Sequence, residues 1–261
     1  MKRFKVALVD DNGFAVPAWV LETFEKEGIE FVAQNCAGND DLARHAGDAD
    51  VVWVWGSRVV TAESLAGLPQ CGGIIRTGSG TDTAPVEEAT RRGIVVANTP
   101  EAHNDAVSNH AIALLLAIIR DIPLHDRHMR AGPWQRYRWA SPPLTGRTLG
   151  LVGFGLIARL VAKKMRGFDL NILAYDPFVS PETMAAEGVR PASVDTLLAE
   201  SDFVSLHCPL MPETFHLIGE RELRLMKPTA ILINTSRGPV VDEPALIRAL
   251  TERWIAAAGL D

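Results

Sequence analysis

The chain has 261 residues, 47% of them hydrophobic and 22% charged, with a formal net charge of −6 at pH 7. That length accommodates two α/β domains of ordinary size, the composition is that of a globular rather than a disordered or fibrous protein, and the acidic balance, with no basic stripe, leaves nucleic acid little to bind. Cys36, Cys71 and Cys208 are odd in number and scattered, which excludes a disulfide framework and points to the cytoplasm.

Met1-Lys2-Arg3 could open a signal peptide, but Asp10, Asp11 and Asn12 break the apolar stretch at once, so it reads as a first strand. Short runs follow at residues 5–9, 51–54, 73–76 and 94–97, apolar on both faces as a parallel sheet covered by helices requires. Between them, residues 17–26, 62–68 and 84–92 have helical spacing, making a βαβ series. The pattern changes at Asn98-Thr99-Pro100, where the domain boundary is placed. Residues 105–130 then read as one long helix that Pro123 should kink or split. Its apolar run, residues 111–119, is far short of the roughly 20 residues that span a bilayer. A polar stretch leads to a second series of strands at 149–152, 171–174, 203–206, 230–234 and 255–260. A helix is expected after each of the first four.

Residues 149–158 form a strand running into Gly153-Phe154-Gly155-Leu156-Ile157-Ala158, followed by helical spacing. In this G-x-G-x-x-A pattern Gly153 permits the tight turn, Gly155 lets backbone approach a pyrophosphate, and Ala158 allows close helix–strand packing. The amides near Leu156 and Ile157 face the phosphates, and the helix dipole adds to the anion site. Alone, the pattern could be any glycine-rich turn. Asp176, ending the next strand, stands where a carboxylate accepts hydrogen bonds from the adenosine ribose and repels a 2′-phosphate, so NAD is expected rather than NADP.

The fingerprint, Tyr175-Asp176-Pro177, residues 204–210 and Ile233-Asn234-Thr235-Ser236-Arg237-Gly238 together resemble the D-isomer-specific 2-hydroxyacid dehydrogenases, including the branch of the C-terminal-binding-protein corepressors. Arg76-Thr77-Gly78-Ser79-Gly80-Thr81-Asp82 resembles that family's substrate-facing glycine loop, with serine where the family usually has an apolar residue. The resemblance implies an α/β fold of two Rossmann-like or flavodoxin-like domains with parallel sheets and a cleft between them. Residues 1–98 would bind substrate. Residues 99–261 would bind NAD and carry interdomain or dimerisation helices at 104–131. It implies an NAD-dependent oxidoreductase that interconverts a D-2-hydroxyacid and a 2-oxoacid by hydride transfer. Arg237 would be catalytic, gripping the substrate carboxylate and polarising the adjacent carbonyl. Ser79 and Gly80 would hold the carboxylate through backbone amides. His207 and Pro209 would border the adenosine, and Thr235 and Asp261 would also contact the cofactor.

A lone His207-Cys208 pair lacks the further ligands that zinc needs, so no metal is expected. His103, His110, His125 and His128 read as solvated or interface residues, and Trp134 and Trp139 as packing residues. In the resembling family the glutamate and histidine that protonate the alkoxide lie beyond the segment matching Gly259-Leu260-Asp261, so the expectation is an incomplete sequence that leaves apolar surface uncovered on both domains. Two alternatives stay open: an NAD(H)-sensing, corepressor-like binding protein and an inactive NAD-binding remnant. A homodimer without nucleic-acid or membrane partners is expected: residues 106–119 resemble the family's dimer-forming region, and the same apolar pattern also fits an interdomain core.

Overall fold

The computed structural model describes residues 3–11, 13–56, 60–132, 134 and 143–261, and the chain divides into two compact units, Met1–His103 and Asn104–Asp261. Unit 1 runs β1 (Lys5–Asp10), α1 (Ala18–Lys26), β2 (Glu30–Ala33), α2 (Asn39–Ala46), β3 (Val51–Val54), a 3-10 turn (Ser64–Gly67), β4 (Gly73–Arg76), α3 (Val86–Arg91) and β5 (Val95–Asn98). Its strands are all parallel in the order β2-β1-β3-β4-β5, a flavodoxin-like order whose switch point lies between β1 and β3.

The two faces of this sheet differ. Ala7, Val52, Val54 and Ile74 are buried against Leu42 and Ala46 of α2, Leu65 of the 3-10 turn and Ala89 of α3. On the other face Val6 and Leu8 are buried, as is Val20 of α1, and Phe24 of α1 stacks on Phe31 at 5.0 Å and meets Trp53 edge-on at 6.3 Å. Towards β5 that face opens: Ile75 is half-buried, Ala97 is exposed, and Val95 is 67% exposed.

Unit 2 runs α4 (Asn104–Ile119), α5 (Ile122–Arg130), β6 (Thr148–Val152), α6 (Leu156–Met165), β7 (Asn171–Tyr175), α7 (Pro181–Ala186), β8 (Arg190–Pro191), α8 (Val194–Glu200), β9 (Phe203–Leu206), α9 (Glu220–Leu225), β10 (Ile231–Asn234), α10 (Glu243–Thr251) and β11 (Ala257–Leu260). Its parallel sheet has the order β11-β10-β9-β6-β7-β8. Counted from its own first strand this is 6-5-4-1-2-3, the Rossmann order, with a switch point between β6 and β9. Here both faces are packed. Val152, Leu173, Val204, Leu206 and Leu232 meet α8, α9 and α10 in one cluster. Leu149, Leu151, Ile172, Ala174 and Ile233 meet Ala111 and Leu115 of α4 and Ala158, Val161 and Met165 of α6 in the other. The expectation of uncovered apolar surface therefore describes the sheet of unit 1 and not that of unit 2.

Several expectations change. The compact units meet at 103/104 rather than 98/99 because residues 99 and 100 are tied to the glycine loop: Gly78 N–H donates to Thr99 Oγ1 at 2.7 Å and Ser79 Oγ to the Pro100 carbonyl at 3.1 Å. The split expected near Pro123 is present, with the two helices bent by 60°, although its position differs. The break falls at Asp121, in the left-handed region at φ 50°, and Pro123 sits in the first turn of α5, where its missing amide costs no helical bond. Residues 62–68 shrink to the 3-10 turn, where Thr61 and Ser64 side chains bond each other's amides at 3.1 Å. Trp134 is 76% exposed rather than packed; Trp139, Met1, Lys2 and Asn12 lie outside the described residues. No single described helix is long and apolar enough to cross a membrane.

Candidate active site

In unit 2 the carboxyl ends of five adjacent strands line up side by side, and every unit 2 residue expected to take part in cofactor binding or catalysis falls on, or in the segment just after, one of them. At the end of β6, Gly153 takes φ +87°, and a Cβ there would lie 2.7 Å from the Cys208 backbone nitrogen and 2.9 Å from the His207 carbonyl carbon. Glycine is therefore required by both conformation and space. Gly155, the N-cap of α6, has no atom within 4 Å of its notional Cβ, which leaves its backbone open to a ligand. Leu156 is 53% exposed in the first turn, whereas Ala158 is fully buried against the sheet, with Ile157 between these extremes.

Asp176, after β7, is pinned to this turn: its Oδ2 accepts from the Phe154 amide and its Oδ1 from the Phe178 amide, both at 2.8 Å. Each carboxylate oxygen keeps a further lone pair for a hydroxyl donor. Arg159, which the sequence reading passed over, would add charge to the first turns of α6. Instead its Nε donates to the Phe154 carbonyl at 3.2 Å and its Nη1 to Glu187 at 2.9 Å. Anion binding at the turn is thus left to the amides and dipole of α6.

After β9, the His207 ring shares a hydrogen bond with Ser205 Oγ at 2.9 Å, and burial pushes its pKa down to about 4, so it is neutral at pH 7. Burial pushes the Cys208 thiol up to about 11, away from thiolate chemistry. Pro209 is exposed and its carbonyl accepts from Thr214 Oγ1 at 2.6 Å. No group of three or more His, Cys, Asp or Glu suited to a metal occurs among the described residues.

After β10, Asn234 builds the turn that presents Arg237. Its Oδ1 accepts from the Ser236 amide and hydroxyl at 3.0 and 2.8 Å, and its Nδ2 donates to the Arg237 carbonyl at 2.9 Å. This positioning role was missed in the sequence, although Asn before Thr-Ser-Arg-Gly is a turn-forming signal. Arg237 is half-buried with extended backbone, and its Nη1 donates to the Ser236 carbonyl at 2.8 Å. Thr235 Oγ1 is buried without a partner. Asp261, after β11, is exposed and its amide donates to the Asn234 carbonyl at 3.0 Å.

These features fit a dinucleotide: a glycine turn whose open side faces the start of a ten-residue helix, a fixed carboxylate on the neighbouring strand, and an orphaned hydroxyl two strands away in the sheet. Ser79 and Gly80 lie in unit 1, just after β4. Gly78 is buried at φ +130°, and Asn98 Nδ2 donates to the Ser79 carbonyl at 2.8 Å, so the loop is braced while the Ser79 and Gly80 amides have no partner among the described residues.

Known proteins agree with this geometry. Residues 112–261 match the profile of the D-isomer specific 2-hydroxyacid dehydrogenase, NAD binding domain. A glyoxylate reductase of Thermococcus litoralis is 48% identical over 209 residues, covering 77% of this chain and 63% of the relative. A D-3-phosphoglycerate dehydrogenase of Mycobacterium tuberculosis is 41% identical over 222 residues, covering 85% of this chain and 42% of the relative. The chain thus spans between about two fifths and two thirds of these relatives' lengths. The crystal structure of a glyoxylate reductase from Paecilomyes thermophila superposes with TM-score 0.89 at 31% identity, covering all of this chain and 82% of that one. With the profile matched across more than half its length, and with a Rossmann sheet carrying the dinucleotide turn, this chain belongs to the D-isomer-specific 2-hydroxyacid dehydrogenase family.

Proposed function

We propose that this chain is an NAD-dependent dehydrogenase interconverting a D-2-hydroxyacid and a 2-oxoacid. The observation that carries this reading is the row of strand ends in unit 2, where the open glycine turn, the pinned Asp176 and the braced Arg237 stand on one sheet edge in a chain of this family. Gly153, Gly155, Leu156, Ile157 and Ala158 form the pyrophosphate turn, Asp176 takes the adenosine ribose hydroxyls, His207 and Pro209 border the adenosine, and Thr235 and Asp261 serve the nicotinamide end. When bound, NADH supplies the hydride. The Ser79 and Gly80 amides hold the substrate carboxylate, and Arg237 is the catalytic residue that polarises the carbonyl. Its guanidinium stays charged at any working pH, so it stabilises the developing oxyanion without itself giving up a proton. His207 is unsuited to protonating that oxygen, because burial keeps its ring neutral down to about pH 4. No observation favours the corepressor-like or inactive readings.

The test follows NADH oxidation across a panel of 2-oxoacids. Arg237→Ala is expected to lower kcat/KM by about a hundredfold or more while calorimetry shows unchanged NADH affinity. Folded protein that takes up no NADH would overturn the reading. We place the protein in the cytoplasm as a homodimer with a small 2-hydroxyacid or 2-oxoacid as its only partner class, without nucleic acid or membrane. Three buried free cysteines, the net charge of −6, and Ile122, Leu124 and Met129 exposed on α5 next to α4 support this. Sedimentation of a monomer at micromolar concentration would refute the dimer.

A further inference from the structure

Arg159 is a cation beside the pyrophosphate turn to which no role has been assigned. It stands on α6, and its guanidinium is turned back onto the protein. Nε donates to the Phe154 carbonyl at 3.2 Å, Nη1 donates to Glu187 Oε1 at 2.9 Å, and the guanidinium carbon lies 5.4 Å from the centre of the Phe154 ring. Phe154 is the fully buried residue between Gly153 and Gly155. Its amide already donates to Asp176 Oδ2 at 2.8 Å. Two charged side chains, one from α6 and one from the end of β7, therefore hold the carbonyl and the amide of a single turn residue.

The consequence falls on Gly155. The Phe154 carbonyl and the Gly155 amide belong to one planar trans peptide, so they point in opposite directions. Holding the carbonyl towards Arg159 aims the Gly155 N–H away from it. That amide has no partner among the described residues, and the space around Gly155 is open. Glycine adopts φ of either sign at little cost, so the peptide before Gly155 is free to rotate unless something restrains it. Rotated, it would present a carbonyl oxygen where the pyrophosphate needs a donor. The Arg159 bond to the carbonyl opposes that rotation. Glu187 in turn keeps the guanidinium at its post, against the pull of a phosphate nearby.

Resting on the dinucleotide site of the dehydrogenase reading, we infer that Arg159 is a positioning residue for the cofactor: it presets the Gly155 amide towards the pyrophosphate by holding the Phe154 carbonyl, and it does not itself bind the phosphates. A donor fixed before the ligand arrives need not be ordered at the moment of binding, which strengthens the complex.

The experiment is calorimetry of NADH and of adenosine on the native chain, Arg159→Met and Glu187→Gln. Arg159→Met keeps an apolar stem over Phe154 and removes the donors. Its NADH affinity is expected to fall about tenfold, while adenosine, which carries no phosphate, binds within about twofold of native. Equal losses for the two ligands would mean that Arg159 only supports the fold, and an unchanged NADH affinity would mean that the turn needs no brace; either overturns the inference. Glu187→Gln loosens the guanidinium and is expected to weaken NADH about threefold. A tenfold gain instead would make Arg159 a direct phosphate ligand and sink the proposal. Native protein that takes up NADH but reduces no 2-oxoacid would end the dehydrogenase reading and leave this inference to stand on the affinities, whereas native protein that takes up no NADH ends both. Should Arg159→Met not fold, ¹⁵N–¹H spectra of the native chain decide. NADH is expected to shift the Gly155 amide signal and leave the Arg159 Nε–H signal near its place, and a guanidinium signal that moves as far as the amide's would overturn the inference.

Discussion

The sheets of the two units meet water differently. In unit 2 helices bury apolar side chains on both faces, so the platform beneath the glycine turn is a closed core. In unit 1 only the face bearing Ala7, Val52 and Ile74 is closed, and the opposite face opens from Trp53 through Ile75 to Val95. A parallel sheet normally needs cover on both sides. Geometry around the cofactor turn is therefore dictated by packing from every direction, whereas half of unit 1 tolerates change. Native-state hydrogen exchange reads the two units separately and tests this contrast.

The largest effect is expected at Gly153. Gly153→Ala forces a side chain into a positive-φ position and against the backbone at residues 207 and 208, costing unit 2 about 4 kcal/mol and abolishing NADH uptake. Gly155→Ala meets open space, so exchange protection drops by only about 1 kcal/mol while NADH affinity still falls. If both variants cost the same stability, the packing argument for the turn is wrong.

Within unit 1 the closed and open faces can be compared one residue apart. Ile74 is 1% exposed, and Ile74→Ala is expected to destabilise unit 1 by about 3 kcal/mol. Ile75→Ala, on the half-open face, should cost about 1 kcal/mol. Equal costs would show that the second face is as closed as the first.

Acid should affect unit 2 through His207. Its folded pKa of about 4 lies below the ordinary 6.5, so above pH 6.5 the ring is neutral in both folded and unfolded chains. As pH falls from 6.5 towards 4 the unfolded chain binds a proton that the folded one refuses, and stability declines. The decline is set at about 2 kcal/mol, less than full burial implies, because the side chain keeps some contact with water. Thermal unfolding of His207→Gln should lose this part of the pH dependence. The smallest effect is Val95→Thr, expected below about 0.5 kcal/mol; a greater loss would mean that this face is covered in solution.

Local chemistry was legible wherever a residue's job depends on its own backbone. Gly153 in the tight turn, Asp176 ending the next strand and the runs that became β1, β3, β4, β6, β7, β9 and β10 could all be read from the sequence, because turn conformation and two-sided burial leave local signatures. The short edge strand β2 and polar α2, which buries only Leu42 and Ala46, left too few apolar positions to show a period. Pro123 marked the split between α4 and α5, but nothing in the sequence near it marks Asp121 as the left-handed residue at which the chain turns.

What no sequence window contained was the company each residue keeps. Strand order alone brought residues 153, 176, 207, 235, 237 and 261 to one sheet edge, set Arg159 against Glu187, satisfied the Trp53 indole through Thr77 and left that of Trp55 unpaired. Backbone conformation follows from nearby residues and so is written locally. Hydrogen-bond partners and burial arise from parts of the chain far apart in sequence, and only the tertiary fold decides them.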